Sequence, residues 1–336
     1  MLNKLLISLG VLALTGLTIY HLNAESENSS LRNQFFDFKI KYDKSYGGKS
    51  ELEYRFNVFK QTLNRINSVN SDSSRTHTAA VNKFSDLTFS EFKSKFLTKM
   101  NRSADLNSNE KLQKKIVPKK KDWRAKKGAV GKVKNQEDCG SCWAFSTVAS
   151  LENAVWQKTK KSVNLSEQEL VDCAGGKYEN EGCNGGLMDD AYKYIIDNKI
   201  ATEKSYPYRA VDQKCSKKNK KKGGRVAVSS FSYVKGGVNG LIKAAAKQVV
   251  SVAIEVQDDL MDYSSGVYTN NDPSCGQELN HGVAVVGYNT AVKKAYYIVR
   301  NSWGADWGLG GYFKIVTGKG NGTCGIANST NVVPKL

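Results

Sequence analysis

One thiol and one imidazole stand out as a candidate nucleophile and base. The chain has three histidines; His21 falls in an apolar N-terminal run and His77 in a polar leader, which leaves His281. Seven cysteines follow residue 130: Cys139, Cys142, Cys173, Cys183, Cys215, Cys275 and Cys324. In an oxidising compartment an odd count leaves one thiol over. Cys142 is the expected leftover, because the run Gln136-Glu-Asp-Cys139-Gly-Ser-Cys142-Trp143 sets it at a turn before an apolar segment of helical spacing. A thiol at a helix start meets unpaired N–H groups and the positive end of the dipole, both of which favour thiolate. A neighbouring imidazolium favours it further, so a thiolate–imidazolium pair is expected at neutral or mildly acid pH. The competing reading of Cys142 is a buried, inert cysteine acting as a small hydrophobe.

The chemistry such a pair supports is attack on a carbonyl, with His281 taking the thiol proton and passing it to a leaving amine. Asn301, in Arg300-Asn301-Ser302-Trp303-Gly304, can hold the imidazole by its amide oxygen without adding a negative charge. Trp303 can shield that hydrogen bond from water. A simple turn asparagine is the alternative. Gln136, together with the backbone N–H of Cys142, can donate to the oxygen of a tetrahedral intermediate.

These residues need elements to position them. Residues 1–24 read as a signal peptide, with Lys4, an apolar run from Leu5 to Tyr20, and a small residue at Ala24. An uncleaved anchor is the rival, and the apolar run is short for one. Residues 25–116 form a charged leader without cysteine. Phe35, Phe38 and Tyr42 mark one helix; Arg55, Phe59, Leu63 and Ile66 mark a second, with Gly47-Gly48 between them. Ala80 to Asp86 reads as extended, Thr88 to Glu91 as a capping box, and residues 100–115 as a cleavable linker. Residues 117–336 carry helical patterns first: Cys142 to Gln157, a capped helix from Ser166, and Leu187 to Asn198. Strand patterns follow at Val249–Val256, Gly282–Tyr288, Ala295–Arg300 and Gly311–Val316. Helices and then strands within one unit imply an α+β fold of two subdomains with a cleft between.

Composition narrows the function classes. The net charge of +18 invites a nucleic-acid reading, but the lysines are scattered. The densest run, Lys217 to Lys222, lacks interleaved aromatics and reads as a solvated loop. Cys139 and Cys142 form a C-x-x-C pair with no second pair of matching spacing, so no metal site and no cofactor are expected. Asn28, Asn101, Asn164, Asn321 and Asn328 are glycosylation sequons, which suit a glycoprotein.

The ordered blocks Gln136 to Phe145, Gly182 to Gly186, Ser205 to Tyr208, Asn280-His281-Gly282, Asn301 to Gly304 and Cys324-Gly-Ile resemble the papain family of cysteine proteases, cathepsin L-like group. The resemblance implies a papain-like fold, with a helical left domain and a β-barrel-like right domain. It implies Cys142 as nucleophile, His281 as base, Asn301 as orienter and Gln136 as oxyanion donor. The implied disulfides are Cys139–Cys183, Cys173–Cys215 and Cys275–Cys324. Gly185 and Gly186 fall where substrate backbone would approach. Leu187, Met188, Ala253, Leu279, Gly282 and Ser329 would line the pocket for the P2 side chain, with Trp303 nearby, so bulky apolar or aromatic P2 residues are expected. Glu51, Arg55, Phe59, Ile66, Asn70, Asn82, Phe84 and Asp86 match the family's inhibitory propeptide; Thr62 stands where asparagine is usual and Ala80 where glycine is usual. The implied protein is a monomeric endopeptidase zymogen released at acid pH, acting on proteins and peptides and inhibited by its own propeptide. It would take the secretory pathway to a lysosome, digestive vacuole or the extracellular space. No nucleic acid is expected as a partner, and no membrane after signal cleavage. The lone His281 lacks the His pair of a carboxydipeptidase of this family.

Overall fold

The computed structural model describes residues 27–100, 117–216 and 223–336. The signal segment, the sequon at Asn101, the linker after Met100 and the Lys217–Lys222 run lie outside the described residues. The chain forms two compact units: one holds residues up to Arg65 with Ser85–Leu87, the other Ile66–Phe84 and Thr88–Leu336.

In the first unit, α1 covers 27–41 and α2, Lys49–Ser71, begins and runs on into the second. Phe35, Phe38, Phe56 and Phe59 are buried, with rings 5.1 Å apart for Phe38–Phe59 and 5.4 Å for Phe35–Phe59. Aromatic spacing at helical intervals therefore makes a small core of its own. Asp86 ties this unit together: its carboxylate takes Lys44 Nζ at 2.9 Å and the Tyr46 hydroxyl at 3.0 Å, and its carbonyl takes Arg55 at 3.0 Å.

In the second unit the leader supplies β1, His77–Ala79, and α3, Phe89–Phe96. The strand lies ahead of the stretch expected to be extended, and 83–86 is a turn. Asn82 makes the difference, since its Oδ1 takes the Phe84 N–H at 2.9 Å and bends the chain as an Asx turn. Thr88 and Glu91 form the reciprocal capping box at the start of α3.

Around the cysteines, α4 spans Cys142–Thr159, α5 Glu167–Cys173 and α6 Met188–Asn198. Every α4 residue from Cys142 to Ala154 is buried, so α4 is the central helix of the unit. Ser166 caps α5 by accepting the Glu169 N–H at 3.0 Å. Three disulfides join Cys139–Cys183, Cys173–Cys215 and Cys275–Cys324, and Cys142 is free.

The strand half comprises β2 (Lys120–Asp122), the short pair β3 (Ile200–Ala201) and β4 (Arg225–Val226), and β5 (Ser230–Tyr233). Helix α7 (Gly237–Lys247), β6 (Val250–Ile254), α8 (Asp258–Met261) and β7 (Tyr263–Gly266) follow. The last strands are β8 (His281–Asn289), β9 (Tyr296–Arg300), β10 (Tyr312–Val316) and β11 (Val332–Lys335). Seven strands make one sheet in the order β10-β9-β8-β6-β11-β5, with β2 also on β8. Its end strands, β10 and β5, do not pair with each other, so the barrel-like half is an open sheet. All nine residues of β8 are buried. Gly282 lets β8 lie against α4, because a Cβ there would stand 3.1 Å from the Cys142 carbonyl oxygen.

Candidate active site

The two halves of the second unit meet where α4 and β8 begin. Cys142 is the first residue of α4 and His281 the first of β8. The disulfide Cys139–Cys183 and the Gly140 N–H, donated to the Cys183 carbonyl at 2.9 Å, fix the turn before the thiol. Backbone N–H groups of Gly282, Trp143 and Cys142 itself bear on the sulfur. The Gly282 contact places the thiol beside His281.

His281 Nε2 lies 2.8 Å from Asn301 Oδ1. That oxygen also takes the Ser302 N–H at 2.8 Å, so it is an acceptor and His281 Nε2 carries the hydrogen. Nδ1 therefore holds the free lone pair; it is buried and has no hydrogen-bond partner among the described residues. Trp303 covers the ring, with centroids 4.7 Å apart and planes at 25°. Nδ1 is thus the ring nitrogen left open to a proton.

Gln136 is fully buried, and its amide is held at both ends. Its Oε1 accepts the Ser302 hydroxyl at 2.7 Å, which turns Nε2 outward. Nε2 donates to the Cys139 carbonyl at 2.9 Å and to the leader's Phe96 carbonyl at 3.0 Å. A leader carbonyl therefore occupies the donor that an oxyanion would need.

The leader continues along this groove. Thr98 N–H donates to the Asn280 carbonyl at 2.8 Å and Met100 N–H to the Leu279 carbonyl at 2.9 Å. The Thr98 hydroxyl donates to the Asn184 carbonyl at 3.2 Å, and any Cβ on Gly185 would collide with Thr98. Gly186 has Trp143 in the same relation, a Cβ there standing 2.8 Å from the indole. Phe84 and Phe92 pack edge-on against Trp303, at 5.8 and 5.0 Å.

Met100 is fully buried and, with Leu187, Met188, Asp189, Tyr233, Ala253 and Thr330, lines a small pocket. The structure brings Leu187, Met188 and Ala253 together. Leu279 packs in the same apolar cluster, the Gly282 backbone N–H bears on the thiol, and Thr330, the neighbour of Ser329, lines the pocket. Asp189, Tyr233 and Thr330 were missed. Tyr233 enters because β5 pairs with β11, opposite Val332, and its hydroxyl donates to Asp189 Oδ2 at 2.7 Å.

Burial sets the charge state of this leader-covered site. Desolvation pushes the Cys142 thiol up to about 12, against the three backbone N–H groups. It holds the His281 imidazole down at about 4, against the Asn301 hydrogen bond. Burial thus works against the expected ion pair in this form. A second group unread in the sequence lies behind Asn301. Lys134 Nζ bridges Glu167 at 2.7 Å and Glu152 at 3.3 Å, and Arg300 faces Glu152 at 3.7 Å. This buried charge cluster joins α4 and α5 to the strand that delivers Asn301.

Comparisons with known proteins agree with this geometry. A model of the papain family cysteine protease matches residues 117–333, and one of the cathepsin propeptide inhibitor domain matches 35–92. The chain is 46% identical over 304 residues to a KDEL-tailed cysteine endopeptidase of Arabidopsis thaliana, covering 85% of this chain and 81% of that protein. It is 39% identical over 300 residues to a cathepsin L-like proteinase of Fasciola hepatica, covering 87% and 90%. The solved digestive procathepsin L 3 of Tenebrio molitor larval midgut superposes with a TM-score of 0.79 at 34% identity, covering 91% of this chain and 99% of that one.

Proposed function

The chain belongs to the papain family of cysteine proteases and carries a cathepsin propeptide inhibitor domain, and from that premise we propose a secreted endopeptidase zymogen in which Cys142 attacks the peptide carbonyl. His281 takes the thiol proton on Nδ1 and returns it to the leaving amine, while Asn301 holds the ring and Gln136 stabilises the oxyanion. The acyl-enzyme on Cys142 is then hydrolysed by water, with His281 as base. Residues 1–24 act as the signal, and maturation removes the leader between Met100 and Val117.

The observation that carries this reading is the leader's path: its Phe96 carbonyl sits on the Gln136 amide and its Met100 side chain is buried in the apolar cluster that also holds Cys142. Removing the leader readmits water, which lowers the desolvation cost on both groups and lets thiolate and imidazolium form. Because Leu187, Met188, Ala253 and Leu279 pack as one apolar cluster around Met100, bulky apolar or aromatic P2 residues are preferred over arginine. An acid compartment of the secretory pathway is the proposed place of release. Full-length protein is incubated at acid pH and then assayed on peptides with leucine, phenylalanine or arginine at P2, beside Cys142→Ala. Hydrolysis of the leucine or phenylalanine peptide by wild type alone supports the reading; activity surviving in Cys142→Ala, or a preference for arginine, contradicts it.

A further inference from the structure

The leader also grips the second unit away from Cys142, at the antiparallel pair β1–β7. His77 opens β1 opposite Gly266 and is only 4% exposed. Its ring centroid lies 4.8 Å from that of Tyr268 and 6.3 Å from that of Tyr263. Nδ1 accepts the Thr269 backbone N–H at 3.3 Å, and Nε2 is buried with no hydrogen-bond partner among the described residues. A nitrogen that accepts cannot also carry a proton, so this site takes the neutral imidazole with its hydrogen on Nε2. A second proton would set N–H against the Thr269 N–H and leave a charge in a dry pocket.

The surrounding charges do not relieve that conflict. Arg75 pairs with Asp259, and with Asp72 at 3.2 Å. Asp259 also takes the Tyr268 hydroxyl at 2.6 Å. Both carboxylates are thus engaged elsewhere and neither bonds to His77, while Arg75 adds a positive charge nearby. Tyr263 and Tyr268, the other titratable groups facing the ring, are raised by burial and stay neutral in acid. Burial holds the His77 imidazole down at about 4 from an ordinary 6.5, with Asp259 opposing and Arg75 assisting.

We propose that His77 is a proton-operated latch: its protonation expels β1 from β7 and starts release of the leader. This inference rests on the acid-released zymogen proposed above. The docked imidazole is neutral and the freed one takes a proton, so docking is at full strength above 6.5 and is lost as pH falls toward 4. Across that window the docked-to-free ratio falls by about two orders of magnitude. Other side-chain bonds along the pair, Thr76 to the Val267 carbonyl and Thr78 to Ser265, both 2.8 Å, do not titrate there.

The test uses the full-length zymogen with His77→Phe, which keeps a ring beside Tyr268, and with His77→Gln, which keeps an acceptor. Both should lower the pH midpoint of leader removal by roughly one unit, with the processed enzyme's own pH–activity profile unchanged. A midpoint equal to wild type overturns the latch alone. A wild-type zymogen that keeps its leader at pH 4 overturns the acid-release reading and the latch with it. Should neither variant fold, hydrogen exchange on the Cys142→Ala zymogen with native His77 decides. Corrected protection at residues 77–79 should be lost between pH 6.5 and pH 4 before that of α3; loss in step with α3, or no loss, overturns the proposal.

Discussion

The leader holds the peptidase unit in two places by different chemistry. In the groove it uses backbone hydrogen bonds from Thr98 and Met100, a carbonyl on Gln136, a buried Met100 side chain and aromatic edges on Trp303. None of these contacts contains a group that changes charge between neutral and mildly acid pH. At β1–β7 the hold depends on a neutral imidazole buried beside an arginine. Occlusion and release are therefore separable: the groove contact blocks the chemistry, and the strand contact decides when the block fails. Between β1 and α3 the leader is held again at Asn82, whose amide donates to the Met261 carbonyl at 2.9 Å.

The largest expected effect is at the thiol. Cys142→Ala should lower peptide hydrolysis by at least about 10⁴-fold while the zymogen folds and binds its leader as before. Steady-state kinetics and a thermal melt check both halves, and residual turnover would remove the nucleophile from the account.

Gln136→Ala should cost about 10²–10³ in kcat of the processed enzyme with little change in KM. It also deletes the donor to the Phe96 carbonyl, so the same variant should leak activity as a zymogen at neutral pH. An effect on the leader without one on kcat would make Gln136 a docking residue only.

Met100→Asp sharpens the groove side of the comparison. An unpaired carboxylate in the pocket of Leu187, Met188 and Ala253 costs several kcal/mol, so leader inhibition at neutral pH should weaken about a hundredfold. Residual zymogen activity toward a small peptide reads this directly. Because the β1–β7 contact is untouched, the pH dependence of what inhibition remains should persist.

The smallest effect is expected for Thr78→Val. It removes one exposed hydroxyl pair with Ser265, worth about 0.5–1 kcal/mol, and should weaken docking a few-fold at pH 7 and at pH 4 alike. A pH-dependent effect of this variant would mean that the strand contact, not His77, senses acid.

Much of this site could be read before any coordinates. Cys142, His281 and Asn301 stand in short, distinctive runs, and the caps at Thr88 and Ser166 follow from local hydrogen bonding that needs no partner. What escaped is what distant residues decide. His77 sits among Ser74, Arg75, Thr76 and Thr78, and nothing in that polar run announces burial; the rings that bury it come from Tyr263 and Tyr268, far along the chain. Tyr233 reaches the pocket only through the register of β5 on β11. Glu152 and Glu167 look like the solvated faces of α4 and α5, yet both are buried because Lys134 and Arg300 meet them there. For the thiol, helix position and a nearby imidazole favour thiolate, while burial, which depends on distant residues, opposes both.

The most direct measurement is the rate at which iodoacetamide alkylates Cys142, followed by mass spectrometry before and after leader removal. The thiol should be inert in the zymogen at pH 7 and react rapidly once the leader is gone, with the fast rate persisting below the usual thiol range. Equal alkylation in the two forms, or a processed enzyme whose Cys142 reacts only at alkaline pH, would contradict a nucleophile kept protonated by its own leader.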